Sequence, residues 1–162
     1  MGFFEKSYKE RIRLLLDLQS NKESIKNRLN ALMELQVLEC DETENNWSEY
    51  SFELKEFEMN PYDGLHGGMA CAIVDTCGGN SIAAATGKAP STTDLSISYI
   101  RPMNAKKFRV RVEFTLRGHK LYGTQVNIYN FETGELCASS MLKYILMNRE
   151  AIHMGDEDFI KK

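Results

Sequence analysis

One acidic residue stands out in the sequence, because Asp75 is the only charged group between Gly67 and Gly87. Removing an ionised carboxylate from water costs several kcal/mol or raises its pKa, so Asp75 needs a compensating partner. Backbone amides of a structural site would serve, and so would a functional site that uses the acid. On a helix, Gly78 and Gly79 would share the face of Asp75 and leave space beside its carboxylate for a substrate. Close packing against another element is the alternative for this pair.

A glycine pair follows His66 directly, at Gly67 and Gly68. At the start of a helix these residues would expose unpaired amide N–H groups at the positive end of the helix dipole. Such amides can bind an anion or stabilise a developing oxyanion. A simple turn is the alternative for the glycines, and a structural role is the alternative for His66.

The spacing between these two features limits how they can cooperate. His66 and Asp75 are nine residues apart, so on a helix they would lie on opposite faces and roughly 13 Å apart along the axis. One chain therefore cannot bring both groups to the same ligand. If the glycine amides and the carboxylate act on one molecule, the acid must come from a second copy across a two-fold axis. This predicts a homodimer, with a dimer of dimers as the expected larger assembly.

A helix and a sheet must position these groups. The run from Met69 to Thr86 is small or apolar on all sides, which predicts a helix buried all round and ended by Gly87. Alternating hydrophobicity predicts an antiparallel meander of four strands, following in chain order, over residues 91–146. A further strand with one wet face is expected near residues 49–55.

The N-terminal segment has a different periodicity. Apolar side chains at helical spacing over residues 3–38 predict two helices, with a break near residue 20. Ser20 and Glu23 form a capping-box pattern at this break. The predicted organisation is an N-terminal helical extension (1–40), a main domain (41–150) and a C-terminal tail (151–162).

Composition narrows the class of protein. The chain has 162 residues, enough for one domain, with 43% hydrophobic and 27% charged side chains. Its formal net charge of −3 gives no indication of a nucleic-acid partner or an anionic membrane surface. No apolar run approaches the roughly 20 residues of a membrane span, and the N-terminus is too charged for a signal peptide, so the cytoplasm is the expected location. The four cysteines lack metal-ligand spacing, which predicts buried free thiols and no metal site.

Basic residues are concentrated between Arg101 and Lys120, where seven of them accompany a single acid. Within a net acidic chain this segment could bind the phosphates of a ligand, with Arg101, Arg117 and Lys120 as the candidate contacts. The wet face of a strand explains Arg109 and Arg111 equally well.

The residues described above occur in one particular order along the chain. Asn60, His66-Gly67-Gly68, Asp75 with Gly78-Gly79, and the stretch from Thr92-Thr93-Asp94 to Arg101-Pro102 together resemble the hotdog-fold thioesterases of the phenylacetate-pathway (PaaI) type. The resemblance extends from about residue 45 to residue 146. It implies an α+β hotdog fold, in which a curved antiparallel sheet wraps a long central helix, here preceded by an N-terminal helical extension. It also implies a dimer with two sites at its interface.

By this resemblance the reaction is hydrolysis of an acyl thioester, usually one of coenzyme A. Asp75 matches the acid that acts as general base on water or as nucleophile on the carbonyl carbon. Gly67 matches the amide that binds the oxyanion. Asn60 and His66 would position the thioester or the water.

Thr92 matches the hydroxyl that assists the water, and a one-residue difference in loop length leaves Thr93 as the alternative. Asn60 and Gly67 would come from one subunit, and Asp75 and Thr92 from its mate. No metal or redox cofactor is implied, since coenzyme A is part of the substrate.

Two other functions fit parts of the same pattern. An acyl-thioester hydratase or dehydratase on this fold would use His66 and an acid on either side of the acyl chain. A non-catalytic acyl-CoA sensor would use the N-terminal helices to contact DNA, but their charge bias is weak and no clear helix-turn-helix is visible. We expect those helices to pack on the outside of the dimer or to cover the acyl pocket.

Overall fold

The computed structural model describes residues 2–156. Six antiparallel strands form one sheet in the order β1-β2-β4-β5-β6-β3, which curves around a long helix. The helices are α1 (Tyr8–Asn21), α2 (Leu29–Leu32) and α3 (Gly67–Thr86), and the strands are β1 (Gln36–Cys40), β2 (Trp47–Glu53), β3 (Lys88–Tyr99), β4 (Lys107–Arg117), β5 (Leu121–Asn130) and β6 (Leu136–Glu150). The predicted α+β hotdog architecture is confirmed.

Local signals in the sequence set both ends of α3. His66 is its N-cap residue and accepts a hydrogen bond from the amide of Gly68. Gly87 ends the helix in the left-handed region, at φ 70°, where only glycine is free of a Cβ penalty. The predicted buried helix is therefore confirmed. Its apolar side chains pack against the inner faces of β2 to β6.

The sheet topology corrects the predicted meander. Strands β4, β5 and β6 do follow one another as antiparallel neighbours, but β3 pairs with β6 rather than with β4. The segment 100–106 carries the chain from β3 across to β4, on the far side of two other strands. As a result β1 and β3 are the two edge strands. The predicted strand near 49–55 is β2, which pairs with β4.

The N-terminal segment also departs from prediction. Helix α1 has a capping box, but it is formed by Ser7 and Glu10, whereas the chain after Asn21 enters turns. The predicted Ser20–Glu23 box and the long second helix are wrong, since α2 is a single turn. Two of the buried side chains that suggested a helix belong to other structures. Ile25 lies in a turn, and Leu35 directly precedes β1.

Strand β1 lies inside the range assigned to the N-terminal extension, so the sheet begins at Gln36. At the other end of the chain, Ala151–His153 forms a short 3-10 turn after β6. Residues 157–162 of the predicted tail lie outside the described part. None of the helices within residues 2–156 has the length and hydropathy that a membrane crossing requires.

A buried cluster of hydroxyl groups joins α1, α3 and β2. The hydroxyl of Ser81 donates to the carbonyl of Cys77 one turn earlier, at 2.8 Å. It also contacts the hydroxyls of Ser48 and Tyr50, at 2.6 and 2.8 Å. The hydroxyl of Tyr8 in α1 donates to the carbonyl of Ser81 at 3.1 Å. Hydrogen bonds thus satisfy these polar groups inside an otherwise apolar core.

Candidate active site

Asp75 lies half-buried in the middle of α3, beside the edge strand β3. Its Oδ1 accepts a hydrogen bond of 2.5 Å from the hydroxyl of Thr92. Both residues line a pocket of about 220 Å³. The hydroxyl of Thr93 instead donates to the carbonyl of Lys143 at 3.2 Å, after an irregularity in the pairing of β3 with β6. Of the two threonines, Thr92 is therefore the one that contacts the acid.

Tyr144 is a residue of this site that sequence analysis placed only on a strand face. Its hydroxyl donates to the backbone carbonyl of Asp75 at 3.2 Å, and the residue lines the same pocket. Burial, followed by the nearby charge of Asp75, raises the pKa of Tyr144 above its ordinary value, so the phenol remains a donor at neutral pH. The alternating pattern predicted a strand here, but not the contact of Tyr144 with Asp75.

The two glycines after Asp75 have different surroundings. A Cβ atom at Gly78 would collide with the hydroxyl of Tyr144 and lie 3.2 Å from the hydroxyl of Thr124, so this glycine makes room for neighbouring side chains. Gly79 lines the pocket, and a Cβ there would make only ordinary contacts, with the ring of Pro90 at 3.7 Å and with Cε1 of Tyr144 at 4.0 Å. Gly79 is thus the one of the pair that could contact a ligand.

The start of α3 forms a second, separate pocket of about 440 Å³, lined by Gly67, Asn60, Tyr99, Arg101 and four apolar or proline side chains. Within residues 2–156 the N–H of Gly67 has no acceptor, whereas that of Gly68 donates to Nδ1 of His66 at 2.9 Å. Because Nδ1 accepts, the neutral ring of His66 carries its proton on Nε2. Among residues 2–156, the donors left free at this end include the amides of Gly67 and Met69 and the Nε2–H group of His66.

Asn60 is held by the loop that precedes α3. Its Oδ1 accepts from the amides of Tyr62 and Gly64, at 2.8 and 3.3 Å. Because both loop bonds use the oxygen, the Nδ2 group is the part that can donate to a ligand. The hydroxyl of Tyr99 donates to the carbonyl of Gly67 at 2.7 Å and so ties the start of α3 to β3. Partial burial and the Cys71 thiol raise the pKa of Tyr99 to about 12.

The two halves of the predicted site therefore lie in different pockets of one chain. Asp75 and Thr92 line one pocket, and Asn60 and Gly67 line the other. Each half has the groups that the other lacks, since one offers a carboxylate and the other offers N–H donors. The chain alone does not bring them together, as the helix spacing predicted.

The basic segment divides into structural and accessible residues. Arg109 and Arg111 both bind Glu49, and they stack on Tyr129 and Trp47 on the outer face of the sheet. The strand-face interpretation therefore describes these two arginines.

The three basic residues predicted to contact phosphate differ in whether their side chains already bind other parts of the chain. Arg117 is held by the carbonyl of Glu44 and by Asn46, at 2.6 and 2.8 Å. Arg101 lines the Gly67 pocket, although it also donates to the carbonyl of Leu136. Lys120 is exposed in the turn between β4 and β5.

The wall of the Asp75 pocket contains residues that sequence analysis missed. Gln19 at the end of α1, Asn30 in α2 and Asn80 in α3 all line it, together with Met154 after β6. The N-terminal helices thus form part of the pocket wall. The alternation and helical patterns gave no signal for these contacts, because each depends on how distant elements pack.

Comparison with known proteins agrees with this geometry. Residues 62–137, which contain α3 and β3 to β5, match the family model of the thioesterase superfamily. The resemblance to hotdog thioesterases is confirmed. A protein of Haemophilus influenzae described as a candidate esterase is 27% identical over 105 residues, which cover 64% of this chain and 75% of that protein.

Solved structures share the fold. The PaaI protein of Escherichia coli, from the phenylacetic acid degradation operon, superposes with a TM-score of 0.68 at 14% identity, over 84% of this chain and 96% of that one. A hypothetical thioesterase of Streptococcus pneumoniae, crystallised with coenzyme A, has a TM-score of 0.64 at 16% identity, over 72% of this chain and 88% of that one. At sequence identities this low, the two comparisons establish a shared fold.

Proposed function

We propose that this protein hydrolyses an acyl thioester of coenzyme A to the free acid and the thiol. The observation that carries the proposal is the hydrogen-bonded pair of Asp75 and Thr92 facing a pocket in the middle of the central helix. The superfamily match supports hydrolysis of a thioester, and the fold shared with a protein crystallised with coenzyme A supports this thiol as the leaving group.

The proposed chemistry assigns each half of the site a role. The hydroxyl of Thr92 donates a hydrogen bond to Oδ1 of Asp75. The second carboxylate oxygen, Oδ2, is therefore free to take a proton from water. The water oxygen then forms a bond to the thioester carbonyl carbon, while the Gly67 N–H and the Nδ2 group of Asn60 stabilise the oxyanion. Collapse of the resulting tetrahedral intermediate breaks the C–S bond, and the thiolate takes up the proton that Asp75 removed from the water. Direct attack by Asp75 is the alternative, and trapping of an acyl-enzyme anhydride would distinguish it.

A second copy of the chain would complete the site through β3. This strand has 12 residues, and within residues 2–156 β6 is its only neighbour in the sheet. An exposed edge strand is a template for pairing with another chain. Antiparallel pairing of two β3 strands about a two-fold axis at Ser96 would place Asp94 opposite Ser98 of the second copy, and the irregularity between Thr92 and Asp94 would then bring Thr92 beside Tyr99 of that copy. Because Thr92 binds Asp75 and Tyr99 binds Gly67 in each chain, this register brings the acid beside the amide donors.

A dimer of dimers would need another contact surface, and the outer face of the sheet offers one. Leu121 and Ile145 are paired across β5 and β6, and both are exposed. Met141 and Met147 extend this apolar surface along β6. Burying it between two dimers would remove contiguous apolar area from water. For the coenzyme A phosphates, Arg101 in the Gly67 pocket and the exposed Lys120 are the proposed contacts.

The first test is thiol release from a panel of acyl-CoA thioesters by the wild-type protein and by Asp75→Asn. We expect the substitution to lower kcat by about 10²–10⁴-fold, the contribution of a positioned base. Asp17→Asn is the matched control, because Asp17 is exposed on α1 and lines neither of the two pockets. Unchanged turnover in Asp75→Asn would refute the mechanism. Consumption of an enoyl thioester without thiol release would indicate the hydratase.

Subunit complementation tests the shared site. Asn60→Asp retains the oxygen that the loop uses but replaces the Nδ2 donor, and Asp75→Asn removes the base with little change in shape. Each variant alone should be nearly inactive. After the two are unfolded together and refolded, half of the dimers are mixed and each has one intact site, so about a quarter of the wild-type activity should return. No recovery from well-folded mixed dimers would contradict a site built from two chains.

A further inference from the structure

The amide donor of the proposed mechanism lies in the weakest part of its helix. Gly67 and Gly68 are the first two residues of α3, and each glycine costs a helix about 1 kcal/mol relative to alanine. The first N–H groups of a helix also lack partners on the helix itself. An amide in such a turn moves unless other contacts hold it. Stabilisation of an oxyanion, by contrast, requires a donor that is already in place.

Tyr99, the last residue of β3, supplies a contact that holds this turn. Its hydroxyl donates to the carbonyl of Gly67 at 2.7 Å. A Cβ atom on Gly67 would lie only 3.0 Å from the same hydroxyl, so the phenol packs directly against the backbone of this glycine. Burial and the neighbouring Cys71 thiol raise the pKa of Tyr99 to about 12, so the hydroxyl keeps its proton for this bond at neutral pH.

The bond from Tyr99 acts on a peptide group that has hydrogen bonds at both ends. This peptide joins Gly67 to Gly68, and its N–H donates to Nδ1 of His66 at 2.9 Å. Donation to the carbonyl polarises the peptide and strengthens the bond from its N–H as well. On the other side of Gly67, the N–H of His66 donates to the carbonyl of Glu58 at 2.8 Å. The Gly67 amide therefore lies between two fixed points, of which Tyr99 supplies one.

We infer that Tyr99 is a positioning residue of the thioesterase site, which holds the Gly67 amide and the His66 ring in place for the oxyanion. The inference rests on the proposed function and adds a residue to the same site. Because the phenol donates its proton to the Gly67 carbonyl, it has none left for the substrate. Tyr99 also lines the Gly67 pocket, so direct contact with the substrate is the alternative that a test must separate.

The kinetic test is Tyr99→Phe, which removes the hydroxyl and keeps the ring. We expect kcat for thiol release to fall by about fivefold to tenfold, the equivalent of one neutral hydrogen bond, while KM changes by less than about twofold. The two constants should separate because the oxyanion forms only in the transition state. A higher KM with unchanged kcat, or unchanged kinetics, would overturn the inference.

Tyr122→Phe is the matched control. It removes the same hydroxyl from a tyrosine on β5 that lines neither of the two pockets. This variant should retain the wild-type kcat and KM. Urea denaturation checks that both variants fold. Tyr99 is 51% exposed, so we expect its hydroxyl to contribute little to stability and the urea midpoint to stay close to that of the wild-type protein.

A measurement without turnover separates positioning from direct contact with the substrate. Relaxation of the backbone ¹⁵N nuclei reports how rigidly the amides of Gly67 and Gly68 are held. In the wild-type protein both should match the rest of α3, with an order parameter of about 0.85, and in Tyr99→Phe they should fall below about 0.6. Tyr122→Phe should leave them unchanged. If Tyr99→Phe loses kcat but both amides stay rigid, the phenol acts on the substrate itself and the inference is wrong.

The same pair of measurements separates this inference from the proposed function. If the amides loosen in Tyr99→Phe but the wild-type protein releases no thiol from any acyl-CoA ester, hydrolysis is refuted and the positioning of Gly67 by Tyr99 stands. If the wild-type protein releases thiol and Tyr99→Phe retains both its kcat and its rigid amides, the inference alone is refuted.

Discussion

Substituting Gly78 by alanine tests how the site is packed. A Cβ atom at this position would collide with the hydroxyl of Tyr144, which donates to the carbonyl of Asp75. The same substitution at Gly79 would produce only ordinary contacts, of 3.7 Å with Pro90 and 4.0 Å with Tyr144. The two adjacent glycines therefore give opposite expectations for an identical chemical change.

The size of the effect can be estimated from three contributions. Overpacking of a filled interior costs about 1–3 kcal/mol. To make room, the hydroxyl of Tyr144 must retreat far enough to lose its 3.2 Å bond to Asp75, worth about 1 kcal/mol. Alanine in place of glycine inside a helix returns about 1 kcal/mol. We expect Gly78→Ala to lower the free energy of unfolding by about 2 kcal/mol, and Gly79→Ala to raise it by up to about 1 kcal/mol.

Urea denaturation of both variants measures these differences, and a loss of about 2 kcal/mol corresponds to roughly 4–8 °C in Tm. Tyr144→Phe removes the colliding oxygen and leaves ring carbon Cζ and the hydroxyl oxygen of Thr124, both at 3.2 Å, as the nearest atoms. In the double variant with Gly78→Ala, most of the overpacking cost should therefore disappear. Additive effects of the two substitutions, or equal stabilities of the two alanine variants, would refute the packing argument.

Three further outcomes follow from the contacts described. Thr92→Val removes the donor to Asp75 and should lower kcat by about 10–100-fold, whereas Thr93→Val, which loses only a bond to a strand carbonyl, should change thiol release by less than about twofold. Leu15→Ala, at a fully buried position of α1, should cost about 2–5 kcal/mol of unfolding free energy in urea, and a smaller loss would show that α1 is not part of the core. Burial raises the folded-state pKa of Glu58, so its contribution to stability is present below the unfolded pKa of about 4.3 and is lost as pH rises through the folded value. Glu58→Gln should therefore gain stability relative to the wild-type protein between pH 4 and pH 8, and parallel urea profiles over that range would contradict the assignment.

Local features of the sequence were sufficient to predict the central helix. His66, the glycines after it and Gly87 act within a few residues of their own positions, so the ends of α3 could be located before any packing was known. The isolation of Asp75 in an apolar run was equally visible. That Thr92 contacts this acid came only through the family resemblance, because no local pattern relates residues on a helix and a strand.

The errors have a common physical origin. Ile25 and Leu35 are buried at a spacing that suits a helix, but turns and the residues just before a strand can bury side chains at the same spacing. The position of β3 beside β6 depends on a crossover, which alternation within a strand does not encode. Gln19 and Tyr144 belong to the pocket because distant elements meet there. Periodicity reports which face of an element is buried, but not what that face contacts.

The hydroxyl cluster around Ser81 has a consequence for the whole site. Small apolar residues cover α3 on nearly every side, so hydrophobic packing alone would tolerate several rotations of this helix about its own axis. The bonds from Ser81 to Ser48 and Tyr50 can form in only one of them. These hydroxyl groups therefore fix the rotation of α3 about its own axis, and with it the direction in which the Asp75 side chain faces.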